Sequence, residues 1–255
     1  MKRRNMSSPR RSTIRSEKEQ SYAVQMEQCI ANSPFSNLER LQNFSLYTPR
    51  QDLTNFLVRF EIFKRVLEIQ GSIIECGVLR GGGLMAWAQF SAILEPTNHQ
   101  RRVVGFDSFS GFPKLSKQDR SSESDQAHPG GLAVDSYDHI KQCVELYDAN
   151  RFVGHVPKVE LVRGDAVNTI PQYLQENPQL IVSLLYLDFD IYEPTLAALK
   201  HFLPRMPKGA VIAFDELNLK DWHGESVAVL ESLKLREYRI ERCSFGSVIS
   251  FAQIE

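Results

Sequence analysis

The chain has 255 residues, 42% hydrophobic and 24% charged, which is enough apolar mass for a substantial core and excludes a collagen-like, wholly disordered or disulfide-stapled mini-protein. With 30 Lys and Arg against 31 Asp and Glu, the formal net charge of -1 creates no global field toward nucleic acid or an anionic membrane. Cys29, Cys76, Cys143 and Cys243 are too scattered for a CxxC pair or a zinc cluster, and no apolar run approaches the roughly 20 residues of a membrane span. The basic N-terminus lacks the apolar segment of a secretory signal, so a cytoplasmic protein with neither membrane nor nucleic-acid partner is expected.

Residues 1–22 are rich in Arg, Lys, Ser, Glu and Gln and read as a disordered basic tail. Lys2, Arg3, Arg4, Arg10 and Arg11 offer a nucleic-acid or membrane arm as the alternative, although solvated ends are the commoner use of such runs. Residues 23–70 read as a helical extension. Mixed signals as far as Thr48 suggest helical pieces, and then Leu53, Phe56, Leu57, Phe60, Phe63 and Leu67 recur at the spacing of an amphipathic helix docking on a core, ended by Gly71. That helix also offers a packing surface for a homo-oligomer.

From residue 71 to 255 short apolar runs alternate with helical segments. SIIECGV, RRVVGFD, KVELVRGD, LIVSLLYLDFD and GAVIAFDE read as buried strands. Helices are expected at Leu84–Leu94, Ser136–Tyr147, Pro171–Gln175, Pro194–Leu203 and about Glu225–Leu235, with Thr169 and Gln172, Pro171 and Pro194 as start signals. YRIERCSF and SVISFAQI meet at Gly246 as a closing hairpin. Alternation of this kind means an α/β fold, a largely parallel sheet covered by helices on both faces.

In such a sheet ligands bind beyond the carboxyl ends of the strands. Here those ends read Glu75-Cys76-Gly77, Asp107, Asp165, Asp188 with Asp190, and Asp215-Glu216. The first turn, ECGVLRGGG, lets backbone approach a ligand, or is simply a tight structural turn; it lacks the Gly-Lys-Ser/Thr of a P-loop and the spacing of a dinucleotide fingerprint. Asp107 stands where a carboxylate accepts ribose hydroxyls, and Asp165 is either an adenine-amine acceptor or a helix cap. If the fourth and fifth strands are neighbours, Asp188, Asp190, Asp215 and Glu216 converge, with no Lys or Arg inside either motif to balance them. Crowded carboxylates either raise one another's pKa or recruit a hard cation such as Mg²⁺; Asp190 and Glu216 are the members most easily explained as caps.

The series ECGVLRGGG, GFDSFSGFP, RGDA, LLYLDFDIYEPT and KGAVIAFDEL resembles the metal-dependent, S-adenosylmethionine-using O-methyltransferases of the macrocin O-methyltransferase type, from about Tyr47 to the C-terminus. The resemblance implies a Rossmann-like class I methyltransferase fold, with a seven-stranded, mostly parallel sheet whose last strand is antiparallel. It implies S-adenosylmethionine held by Glu75 and Gly77 at the methionine, Asp107 at the ribose and Asp165 at the adenine, with Gly81, Ser108 and Ala166 completing the set. It also implies Mg²⁺ on Asp188, Asp215 and Glu216, where the family often has a second Asp. The implied reaction is in-line attack of a hydroxyl of a small molecule, a deoxysugar or sugar-bearing natural product, on the sulfonium methyl, with Asp188, Asp190 or His128 taking the proton. The lysine base of catechol enzymes does not transfer, because its place holds Ile191.

Residues 114–131 are polar and too long for an ordinary connection, and read as a lid over the acceptor or a disordered insertion without function; Trp222 and His223, just beyond the fifth strand, read as acceptor-pocket lining, with edge packing the alternative for Trp222, and Trp87 reads as core. A hydroxylase on the same fold is disfavoured, since no strand end supplies the histidines of an iron triad. A non-catalytic scaffold has no need of a crowded acid set.

Overall fold

The computed structural model describes residues 17–120, 122–246 and 248–255. Chain contacts divide it into two units, the first ending at Leu53 and the second running from Thr54 to Glu255. The expected tail lies outside the described residues as far as residue 16. Its last part is corrected, because residues 17–22 open helix α1 (Glu17–Ala31), whose Glu, Gln and Ala residues are good helix formers. The rest of the first unit holds α2 (Asn37–Gln42), closed at its start by a reciprocal capping box between Ser36 and Glu39.

Helix α3 (Arg50–Arg65) leads into the second unit. There follow β1 (Ser72–Cys76), α4 (Gly82–Leu94), β2 (Val103–Asp107), α5 (Tyr137–Ala149), β3 (Val159–Arg163), α6 (Ala166–Glu176), β4 (Val182–Leu187), α7 (Tyr192–Phe202), β5 (Val211–Phe214), α8 (His223–Ser232), β6 (Glu241–Arg242) and β7 (Ser250–Gln253). The seven strands form one sheet in the order β3-β2-β1-β4-β5-β7-β6. All neighbours are parallel up to β5, while β7 runs antiparallel to both β5 and β6. The order reverses between β1 and β4, and that switch point opens a crevice at the carboxyl ends.

Alternation along the strands sorts side chains into two cores. Ile74, Phe106, Leu185 and Ile212 pack with α6, α7 and α8, while Ile73, Val103, Leu184 and Val211 pack with α3, α4 and α5. Two helix expectations need correction. Helix α6 starts at Ala166 with Asp165 as N-cap, and Pro171 lies inside it, so the proline was no start signal. In α3 the buried stripe is Val58, Ile62 and Phe63, continued by Val66, while Phe56 and Leu57 are exposed. The helix is rolled relative to that row, so that Phe56 and Phe60 only edge onto Phe90, with ring centroids 4.8 and 5.3 Å away. The roll puts Arg59 on the side facing the sheet. Among the described residues no helix is long and apolar enough to cross a membrane.

Candidate active site

The ends of β1, β2 and β4 are stitched together by backbone. Gly77 N–H donates to Phe106 O at 2.9 Å and Asp188 N–H to Cys76 O at 2.8 Å. Gly77 sits at φ +98, and a Cβ there would lie 2.0 Å from the Asp188 carbonyl oxygen, so only glycine lets the β1 turn meet the β4 end so closely. Asp107 closes the turn: one carboxylate oxygen accepts Val78 and Leu79 N–H at 2.8 Å each, the other Phe109 N–H at 2.7 Å. Gly81 is the left-handed N-cap of α4, without a side-chain cap, and the Cα of Gly82 faces open space. A helix N-terminus whose N-cap is glycine and free room at Gly82 make a cradle that fits the adenosyl donor expected from sequence.

Ser108 donates to Gly111 O at 2.6 Å and shapes the loop after β2. Asp165 caps α6 by accepting Val167 N–H at 3.1 Å, and Ala166 is buried as the first residue of that helix. Glu75 is only 2% exposed. Its carboxylate accepts the Trp87 indole N–H at 2.5 Å and abuts Gly83, whose added Cβ would lie 2.4 Å from Oε1. Burial pushes the Glu75 pKa up to about 7, against the opposing pull of Arg59 and the Trp87 hydrogen bond.

β4 and β5 are neighbours in the register Leu187 with Phe214, so Asp188 and Asp215 follow side by side, and Asp215 N–H donates to Leu187 O at 3.0 Å. Tyr186, one turn of the pleat earlier, donates its hydroxyl to Asp215 Oδ1 at 2.5 Å. The Arg59 guanidinium lies over the Tyr186 ring, 4.7 Å from its centroid, and Nη2 is 4.0 Å from Asp188 Oδ2. Burial opposes the charge of Arg59, yet Tyr186, Glu75, Asp215 and Asp188 together hold its pKa above the ordinary value. Asp188 is raised well above the carboxylate range, first by burial and then by Asp215 and Asp190, with Arg59 pulling the other way.

Arg59 therefore supplies the balancing cation from α3, outside both acid motifs, neither of which contains a Lys or Arg. Its sequence signal is position, since Arg59 occupies the helical stripe with Ile62, Phe63 and Val66 where an apolar residue belongs.

Asp190 is buried in a left-handed conformation at φ +63, inside the tight turn closed by Ile191 N–H to Phe189 O at 2.7 Å. Glu216 is buried, and its N–H donates to Glu225 Oε1 at 3.1 Å. Glu225 is fully buried on the first turn of α8; its Oε2 has no hydrogen-bond partner, and burial followed by Asp215 raises its pKa well above the usual range. Asp188 and Asp215 thus form an adjacent pair, but among the described residues no three Asp, Glu, His or Cys side chains close into a set that could hold an ion. In chemistry the donors suit Mg²⁺, being crowded carboxyl oxygens with an orphaned Glu225 oxygen in the same acid cluster.

His128 is exposed, its Nδ1 2.9 Å from Pro129 O, and is not drawn into the acid pair. The 114–131 segment is fastened by Asp119, which sequence reasoning missed: it is 3% exposed, accepts Tyr192 N–H at 2.9 Å at the start of α7, and abuts Gly224. Leu115, Asp119, Asp190, Trp222 and His223 lie together there, packed too closely to leave room for a water molecule, so Trp222 and His223 stand beside an acid of the β4 motif. Trp87 is fully buried core, as expected.

The sheet order with a glycine cradle at the switch point and acids at the β4 and β5 ends defines a Rossmann-like class I methyltransferase. The macrocin-O-methyltransferase (TylF) family model matches residues 50–232, and the chain belongs to that family. It is 33% identical to the crystal structure of CalS11, calicheamicin methyltransferase, covering 94% of this chain and 93% of that one with a TM-score of 0.89. Among curated relatives, a rhamnosyl-tetracenomycin-C 4'-O-methyltransferase of Streptomyces olivaceus is 26% identical over 58% of this chain and 53% of its own length. Mycinamicin III 3''-O-methyltransferase of Micromonospora griseorubida is 26% identical over 64% of this chain and 65% of its own length. The chain therefore spans between about half and two thirds of the curated relatives it matches.

Proposed function

We propose that the protein transfers a methyl group from S-adenosylmethionine to a hydroxyl of a small molecule, a deoxysugar or sugar-bearing natural product, with Mg²⁺ at the acid pair. The observation that carries this reading is the juxtaposition of Asp188 and Asp215 directly against the β1 turn, through the contact of the Asp188 carbonyl with Gly77. Family membership supports the donor, and the sugar-bearing acceptors named for the relatives support the acceptor class: rhamnosyl-tetracenomycin, mycinamicin III and, for CalS11, TDP-rhamnose.

In this reading the turn from Gly77 to Gly81, with Glu75, Asp107, Ser108, Asp165 and Ala166, positions the donor, which supplies the methyl as an electrophilic sulfonium. Asp188, Asp215 and Glu216 would hold the cation, whose chemistry when bound would be Lewis-acid activation of the acceptor hydroxyl. Asp188, at the reacting hydroxyl in this reading, receives its proton. Asp190, Trp222 and His223 stand on the acceptor side, beside the segment anchored by Asp119.

The test is a screen of free and nucleotide-linked deoxysugars for S-adenosylhomocysteine production. On the best acceptor, Asp188→Ala and Asp215→Ala should lower turnover by at least about 1,000-fold while calorimetry still detects S-adenosylhomocysteine binding. Turnover that survives EDTA removes the metal from the reading; turnover that survives Asp188→Ala removes the base.

A further inference from the structure

Arg59 is not part of the methyltransferase strand-end motifs. It arrives from α3, carried in the stripe that buries Val58, Ile62 and Phe63 against the sheet, and its side chain is 13% exposed. Its contacts reach both members of the acid pair: directly to Asp188 across 4.0 Å, and to Asp215 through the Tyr186 ring it covers, whose hydroxyl holds Asp215 Oδ1. Tyr186 pairs across the sheet with Glu75 on β1, so one guanidinium faces carboxylates of β1, β4 and β5. Its Nε is buried without a hydrogen-bond partner, so the side chain is held by charge and stacking rather than by a closed set of hydrogen bonds.

A buried arginine placed this way acts on any second cation. Asp188 has a limited number of lone pairs, and in a partly buried setting, where water screens little, the fixed charge of Arg59 beside it would oppose the arrival of a dication at the same carboxylate. From this geometry we infer that Arg59 is the built-in counter-ion of the acid pair, competing with the divalent cation for Asp188 and Asp215 and setting the affinity of the site for that cation. The guanidinium keeps the carboxylates charge-compensated and aimed when no cation is bound. A divalent ion must outcompete it, which makes the site weaker and more dependent on cation concentration than its acid content suggests. The inference rests on the metal reading proposed above.

The experiment measures binding of Mn²⁺, a paramagnetic stand-in for Mg²⁺, to the whole protein at pH 8.0 by loss of the free-ion electron paramagnetic resonance signal. Arg59→Met removes the charge and keeps apolar stem volume; Arg59→Lys keeps the charge. Each variant is first checked for S-adenosylhomocysteine binding within about threefold of wild type. Arg59→Met should bind Mn²⁺ roughly tenfold more tightly and Arg59→Lys within about threefold of wild type. A merely structural arginine would not yield tighter binding when removed. Unchanged or weaker binding by Arg59→Met, with the wild type binding, overturns the inference while leaving the metal reading intact. Absence of Mn²⁺ binding by wild type and variants alike overturns the metal reading and the inference together. Should Arg59→Met fail to fold, Arg59→Gln, which retains amide donors for the Tyr186 face, takes its place with the same expected tightening.

Discussion

Glu75 places a titratable group inside the sheet, and its replacement by Gln isolates what that group does to stability. Burial shifts the carboxyl from the usual 4.5 to about 7, so the folded state binds a proton more tightly than the unfolded chain does. Between those two values the folded state carries the extra proton, and stability falls as pH rises; below the unfolded pKa the contribution is fully favourable, and above the folded one it is lost. At about 1.4 kcal/mol per pH unit, the span amounts to about 3 kcal/mol at pH 8. Glu75→Gln keeps an oxygen for the Trp87 indole N–H but replaces the other acceptor by a donor, a cost near 1 kcal/mol that does not vary with pH. The stability of the variant minus that of the wild type should therefore climb by about 3 kcal/mol between pH 4.5 and pH 8. Urea denaturation of both proteins without cofactor, at matched pH values, reads this difference directly. A difference that stays flat across the window, or that falls with pH, refutes the claim that Glu75 is neutral at low pH and costly when ionised.

Gly77→Ala forces a Cβ to within 2.0 Å of the Asp188 carbonyl oxygen from a backbone at φ +98, so the β1 turn and the β4 end must part by more than an ångström. Donor affinity should fall at least tenfold and kcat/KM on the order of 100-fold; values within threefold of wild type in calorimetry and initial-rate assays count against a cradle at this turn. At the opposite end of the sheet, Arg101 is 3% exposed and donates to Gly71 O at 3.0 Å, Val66 O at 3.0 Å, Ile69 O at 3.0 Å and Ser183 Oγ at 2.6 Å, while pairing with Glu95 at 2.8 Å. Arg101→Met leaves the Glu95 carboxylate with only the Ser91 and Asn98 donors and takes the guanidinium donors away from the Gly71, Val66 and Ile69 carbonyls, and should lower the unfolding free energy by about 3–5 kcal/mol, measured by urea titration, with catalytic constants unchanged in the protein that remains folded. A loss under about 1 kcal/mol would mean that water replaces the guanidinium.

What the amino-acid order determined by itself is the alternation of strand and helix and the chemistry at each strand end. Short continuous apolar runs such as SIIEC and VSLLYL, buried at every position, have few other ways to bury themselves than in a covered parallel sheet, so Glu75, Asp107, Asp165, Asp188 and Asp215 were bound to meet at one edge. Tertiary structure decided the local outcomes that depend on which surfaces meet. Sequence spacing identified α3 as amphipathic, but only packing against Phe90 and the sheet selected the Val58, Ile62 and Phe63 stripe and turned Arg59 inward. Likewise Asp119 and Glu225 read as ordinary polar residues of a loop and a helix; burial against Tyr192 N–H and Glu216 N–H made them parts of the site. The reason is range: periodicity and turn chemistry act over a few residues, whereas the charge balance of the acid pair is set by a side chain more than a hundred positions away, brought into place by the sheet.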